Sequence, residues 1–272
     1  MDNSKGGPVY KGLGKIPDRV LLLFAGLVYL FLYAPIMVLI FFSFNSTKST
    51  QVWTGFSTQW YGELIRDGSV LNAFKLSLIV GLTATAIATV IGTLTALALS
   101  RYDFRGKTFA DSAIYAATVM PEIVVGVSLL VFFVAATVEL GIVTIIIAHV
   151  AFCISFVTIV VRARLSGMDR SVEEAAQDLG ATPVQTFLRV TLPLILPGVM
   201  AGALLAFTLS FDDFVITFFV AGVGSSTLPL KIYSMIKFGV SPVINALSTV
   251  VMVSTMILIL GGSRFLSRGE NA

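Results

Sequence analysis

The run Val20–Phe44 contains no charged residue. It is the first of six long apolar segments, and nothing else in the chain restricts its fold so severely. A helix that crosses a bilayer needs roughly 20 mainly apolar residues. Val20–Phe44, Leu76–Leu99, Ala113–Val138, Gly141–Val161, Leu194–Val220 and Ile244–Leu260 all meet that requirement. They are too long for strands and show no alternation of polar and apolar residues, which predicts an all-α bundle of six transmembrane helices rather than a barrel. Only 12% of residues are charged, against about 25% in a typical soluble domain, so lipid is the expected solvent of an integral membrane protein. No polar stretch is long enough for a second domain. The expected organisation is a tail over residues 1–19, one membrane domain over 20–266, and a short tail over 267–272. The net charge of +3 is small and dispersed, so nucleic acid is not an expected partner.

Orientation follows from the basic residues, which concentrate on the cytoplasmic side. With the N-terminus inside, thirteen Lys and Arg fall on the inner side and five on the outer. Six spans return the C-terminus to the same side. Val20–Phe44 exceeds a signal-peptide core and lacks a small-residue cleavage site, so it reads as an uncleaved span. The outer loops Asn45–Lys75 and Gly222–Pro242 carry Trp53, Trp60, Tyr61 and Tyr233, read as interface anchors or a partner-docking surface. Gly81, Ala84, Thr85, Ala88, Thr89, Gly92 and Ala96, with Gly198 and Gly202, form small faces for close helix packing. The lone Cys153 reads as a small buried hydrophobe.

The polar stretch Arg162–Pro193 has strong helical punctuation. Ser171 with Glu174 fits a capping box, Gly180 a left-handed stop, and Thr182 with Gln185 a second box with Pro183 at the first helical position. Two short helices with an elbow are predicted, and Ala175 and Ala176 leave the first with a smooth face. The same stretch, "EEAAQDLGATPVQTFLRVTLP", closely resembles the EAA loop of ABC importer permeases through Glu174, Ala175, Ala176, Gly180, Val190, Leu192 and Pro193. Val190 stands where isoleucine is more usual.

The resemblance runs from about Tyr29 to Leu260, through "RYDFRGKTF", "MPEIVVGVSLL", "AHVAFC", "FTLSFDDFVITFFV" and "TLPLKIYSMIKFGVSPVINAL", and is to permeases of spermidine/putrescine importers, nearer the spermidine-preferring type. One departure is Val243, where many relatives carry glutamate. The resemblance implies a type I ABC importer permease fold in the bacterial inner membrane, with both termini cytoplasmic. It implies a second homologous permease as heterodimer partner, two ATPase subunits that receive the loop, a periplasmic substrate-binding protein and a polyamine substrate. ATP and Mg would be held by the ATPase, with no cofactor, metal or catalytic residue in this chain. "RGKT" at Arg105–Thr108 is not a nucleotide loop, because the required glycine would fall at Arg101.

"FTLSFDDFVITFFV" places Asp212 and Asp213 side by side in the fifth apolar run. A carboxylate at membrane depth costs about 2.5–3.5 kcal/mol on insertion scales, so each needs a reason. A polyamine pathway requires spaced carboxylates and aromatic faces for its ammonium groups. Asp212 and Asp213, flanked by Phe211 and Phe214, and Glu122 after Pro121, where the third span is expected to break, are the candidates. Adjacent helical residues diverge by roughly 100°, so one aspartate can face a path while the other meets a neighbouring helix or its own turn. Pairing with groups of a second permease is the structural alternative. His149 reads as a hydrogen-bonded packing residue, Arg162 and Arg164 as boundary residues that snorkel, and Asp111 and Glu139 as solvated. Rival readings are the same architecture carrying ferric ion or a phosphonate, a proton-coupled secondary transporter, and a structural assembly protein. Acidic rather than basic midspan charges disfavour anionic cargo, and the EAA loop disfavours the last two.

Overall fold

The computed structural model of the chain describes residues 18–49, 52–237, 239 and 241–269, with side chains from Val20 to Ile257. Most of the two expected tails lies outside those residues. Helices run in the order α1 (Asp18–Ser43), α2 (Gln59–Arg66), α3 (Gly68–Arg101), α4 (Lys107–Val119), α5 (Glu122–Ala135), α6 (Ile142–Ser166), α7 (Ser171–Asp178) and α8 (Pro183–Thr186). A π turn at Phe187–Thr191 follows, then α9 (Leu192–Asp212), α10 (Val215–Val220), α11 (Leu228–Lys237) and α12 (Pro242–Gly269). The all-helical membrane architecture is as expected. Among the described residues four helices are long and apolar enough to cross a bilayer, or five if α4 and α5 count as one bent span. The sixth expected span is α12, whose described side chains end at Ile257.

The chain divides into two compact units, one up to Glu63 with Ser241–Val250, the other Leu64–Val240 with the rest of α12. In the first, α1 leads into a loop organised by Asn45. Its amide nitrogen donates to the carbonyls of Ser49 and Val52, and its Oδ1 accepts from the Thr54 N–H and hydroxyl. The Trp60 indole N–H donates to the Asn45 carbonyl at 2.6 Å, and Trp60 is only 4% exposed. Trp60 therefore packs the loop and is neither an interface anchor nor a docking residue.

The second unit is built on α3, α6 and α9 packed against one another. The small faces do what their spacing predicts. Ala84, Ala88 and Ala96 are fully buried. A Cβ added at Gly92 would stand 2.8 Å from the Val157 side chain, so α3 and α6 approach too closely for any other residue there. Gly202 meets Val157 from α9, placing the valine at the junction of all three helices.

Several boundaries differ from expectation. The second span begins at Gly68 rather than Leu76, because Asp67 caps it by accepting from the Ser69 and Val70 N–H groups. The third is broken where Pro121 leads one to expect it: α4 and α5 meet at 113° across Met120 and Pro121, where proline has no N–H to continue the ladder. The fifth stops at Asp212 and restarts at Val215. The loop after Gly222, expected on the outer side, contains α11, which periodicity did not reveal.

The pairing of Arg162 and Asp111 also differs from expectation. Arg162 pairs with Asp111 instead of snorkelling past a solvated carboxylate. The Arg164 stem lies over Gly198, where a Cβ would come within 2.7 Å of it. Arg164 is exposed while its stem packs on α9, which is the snorkelling expected of it.

Candidate functional site

Two regions bring the predicted residues together. In the polar stretch between α6 and α9, α7 starts at Ser171, but no Ser171–Glu174 capping box forms. Asp169 supplies the cap instead, accepting from the Ser171 N–H at 3.0 Å, and that bond holds its carboxyl below the ordinary carboxylate value. At the other end Gly180 has φ +89°. Its N–H bonds the Gln177 carbonyl and that of Ala181 bonds Ala176, completing a Schellman stop. The second box is present: the Gln185 N–H donates to the Thr182 hydroxyl and the Thr182 N–H to the Gln185 side chain. The second short helix is not separate, however. It runs on through the π turn into α9, giving one apolar helix from Pro183 to Asp212. Pro193 cannot donate to Arg189 and its ring crowds that carbonyl; an opened π turn is how the helix passes it. Val190 and Leu192 are half-buried in that passage, and Pro193 is exposed.

The adjacent glutamates of α7 point to different surroundings. Glu174, Ala175 and Leu179 are exposed, Leu179 at 90%, and Ala176 is half-buried. Glu173 turns inward to Arg101 at the end of α3, with Nε–Oε2 2.9 Å, and accepts from the Thr191 hydroxyl at 2.8 Å. Arg170 donates to the Arg101 carbonyl. Glu173 and Arg101 were missed in the sequence, since adjacency alone cannot tell which glutamate faces inward.

The second region is the break between α9 and α10. Asp213 has an extended backbone, and its carboxylate accepts from the N–H groups of Ile216 and Thr217 and from the Thr217 hydroxyl. It also lies 3.2 Å from His149 Nε2, with side-chain exposures of 5% and 2%. His149 is hydrogen-bonded as expected, but its ionisable neighbour comes from another span. Asp212 is exposed instead. It joins Phe211, Phe214, Ile232, Tyr233 and Ile236 around a pocket of about 270 Å³, and Asp213 is not among the lining residues. The Phe214 and Tyr233 rings meet at 4.6 Å between centroids, tilted by 43°. Tyr233 is therefore a pocket wall, which its place in an outer loop concealed. No lysine or arginine is among the described residues lining the pocket. Lys237 Nζ sits 5.2 Å from the Tyr233 ring centroid, within cation–π range. Glu122 is exposed in the first turn of α5, within electrostatic reach of Asp213 and Asp212. Gly126, one turn later, lets α5 close on α10, since a Cβ there would come within 2.8 Å of Phe219. Among the described residues no three His, Cys, Asp or Glu side chains are grouped to hold a metal ion.

Residues 88–266 match the family described as binding-protein-dependent transport system inner membrane component. The chain is 46% identical over 243 residues to the putrescine transport system permease protein PotI of Escherichia coli (strain K12), covering 87% of this chain and 86% of that protein. It is 43% identical over 243 residues to the spermidine/putrescine transport system permease protein PotC of the same organism, covering 89% and 92%. Among solved structures, a chain of a bacterial ABC transporter involved in the import of the acidic polysaccharide alginate superposes with a TM-score of 0.75 at 16% identity, over 95% of this chain and 99% of that one. That likeness shows the type I importer permease fold alone. The chain is a multi-pass inner-membrane transport subunit whose ATP hydrolysis lies in a separate subunit, and it belongs to the family of binding-protein-dependent transport system inner membrane components.

Proposed function

We propose that this chain is a permease subunit of an ATP-driven importer for polyamines of the spermidine/putrescine class. The observation that carries the cargo is the pocket at the end of α9, where exposed Asp212 stands among Phe211, Phe214 and Tyr233 with no basic residue lining it. A polyamine presents ammonium groups separated by methylenes. A carboxylate attracts the first, and aromatic faces receive both. The Tyr233 ring already lies within range of one ammonium, that of Lys237. The names of the relatives at 46% and 43% identity support the same cargo. Asp212, Phe211 and Phe214 line the path in this reading, Glu122 adds a second carboxylate near its edge, and Asp213 supports them from behind.

The same reading places a second homologous permease beside this one, two ATPase subunits beneath, and a periplasmic binding protein outside. The ATPase receives the exposed face of α7, formed by Glu174, Ala175 and Leu179. Gly180 fixes the elbow, and Val190, Leu192 and Pro193 carry its displacement into α9 without a break in the helix. Movement of substrate inward then requires each state of the cycle to hold it with different affinity.

The test is uptake of labelled spermidine and putrescine into proteoliposomes holding the complete complex, with binding protein outside and ATP within. Uptake that needs both ATP and binding protein supports the reading. Uptake of ferric ion or a phosphonate with none of either polyamine overturns the cargo and leaves the importer. Uptake without ATP overturns the importer itself.

A further inference from the structure

The fifth span loses its helical ladder at Asp213, in a region where lipid offers no hydrogen bonds to replace it. Something must hold the two halves at a fixed angle. The imidazole of His149, projecting from α6, reaches both sides of the break. Its Nδ1 lies 2.7 Å from Ser210 Oγ in the last turn of α9. Its Nε2 lies 3.0 Å from Thr217 Oγ1 in α10 and 3.2 Å from Asp213 Oδ2 between them. One neutral tautomer satisfies every contact. Nε2–H donates toward Asp213 and Thr217, the Thr217 hydroxyl donates to Asp213 at 2.8 Å, and the Ser210 hydroxyl donates to Nδ1.

We propose that His149 is a positioning residue for the substrate pathway, a bracket across the α9–α10 break that sets where Asp212 and Phe214 stand. This rests on the reading of Asp212 as part of that pathway. Asp212 is the last residue of α9 and Phe214 the last before α10, so both hang directly from the hinge that the imidazole spans. Two-point bridging explains the residue type. Leucine fills a similar space and bridges nothing, while glutamine restores a donor toward Asp213 and Thr217.

The experiment is a double-mutant cycle on ATP-driven spermidine uptake by the assembled complex, using His149→Leu and Asp212→Asn alone and together, with His149→Gln as rescue. If His149 acts through Asp212, His149→Leu lowers uptake about tenfold in the wild-type background but by less than about twofold when Asp212 is already asparagine. His149→Gln recovers most of the loss. Equal fold losses in both backgrounds overturn the bracket and leave the pathway reading standing. Wild-type uptake by Asp212→Asn overturns both. If the His149→Leu complex does not assemble, Ser210→Ala removes only the Nδ1 partner and enters the same cycle. It must show the same non-additivity, and an additive loss counts against the proposal.

Discussion

Replacing Glu173 with glutamine should loosen the α7 loop without unfolding the bundle. The carboxylate holds Arg101 at 2.9 Å, with side-chain exposures of 13% and 12%. The Arg101 Nε and Nη2 are shut off from solvent with no aligned hydrogen bond, so the guanidinium is held by charge and left stranded when that charge goes. Breaking a buried pair from one side costs about 3–5 kcal/mol. Glutamine keeps an acceptor for the Thr191 hydroxyl and both groups retain some exposure, so the expected cost lies at the low end, about 3 kcal/mol. Because 1.4 kcal/mol is tenfold in an equilibrium, this is roughly a hundredfold. The cost falls on local opening of α7, so hydrogen exchange of its amides in the assembled complex is the assay. Protection should fall by about two orders of magnitude in α7 and stay unchanged in the middle of α3. Arg101→Gln should act similarly, and the double mutant should lose less than the sum of the singles, by about 1–3 kcal/mol. Strict additivity would refute the claim that this pair ties the loop to α3.

Two further outcomes follow from local geometry. Gly222→Ala would put a methyl carbon 1.8 Å from the Leu140 carbonyl oxygen; because the obstacle is backbone, the cost should be about 1–3 kcal/mol. Thermal unfolding of the purified complex checks it, and an unchanged midpoint would contradict the close approach. Asp67 accepts from the Ser69 hydroxyl, which with the Ser69 and Val70 N–H groups and Lys231 holds its carboxyl below the ordinary value. A folded value depressed below the unfolded one, about 3.9, gives stabilisation that is complete above the unfolded value. It is lost as pH falls through the folded one. The stability gap between wild type and Asp67→Ala should therefore be constant near neutrality and shrink in acid, read from unfolding midpoints across pH; a gap that widens in acid would contradict the cap.

The spans were legible because a bilayer leaves few ways to place twenty apolar residues, and the small faces of α3 because close packing in lipid demands them. The Thr182–Gln185 box and the Gly180 stop were legible because capping is chemistry among neighbours. Ser171 misled because Asp169, two residues earlier, offers the same service with a charge. Pro121 marked a break, but its angle depends on how α5 packs over Gly126 onto α10, and no local rule contains that. The adjacent aspartates were visible as a problem. Their division of labour was not, because the imidazole that claims Asp213 belongs to a different span. Tyr233 went unrecognised for the same reason: its partner Phe214 is distant in the chain.

The most direct measurement is ATP-driven spermidine uptake by the complete complex carrying Asp212→Asn, beside a wild type of equal assembly and basal ATPase activity. If the exposed carboxylate receives the cation, uptake falls at least about tenfold, and Asp212→Glu recovers part of it. Uptake indistinguishable from wild type would contradict the account, leaving Asp212 as a surface carboxylate and the pocket around Tyr233 with no part in transport.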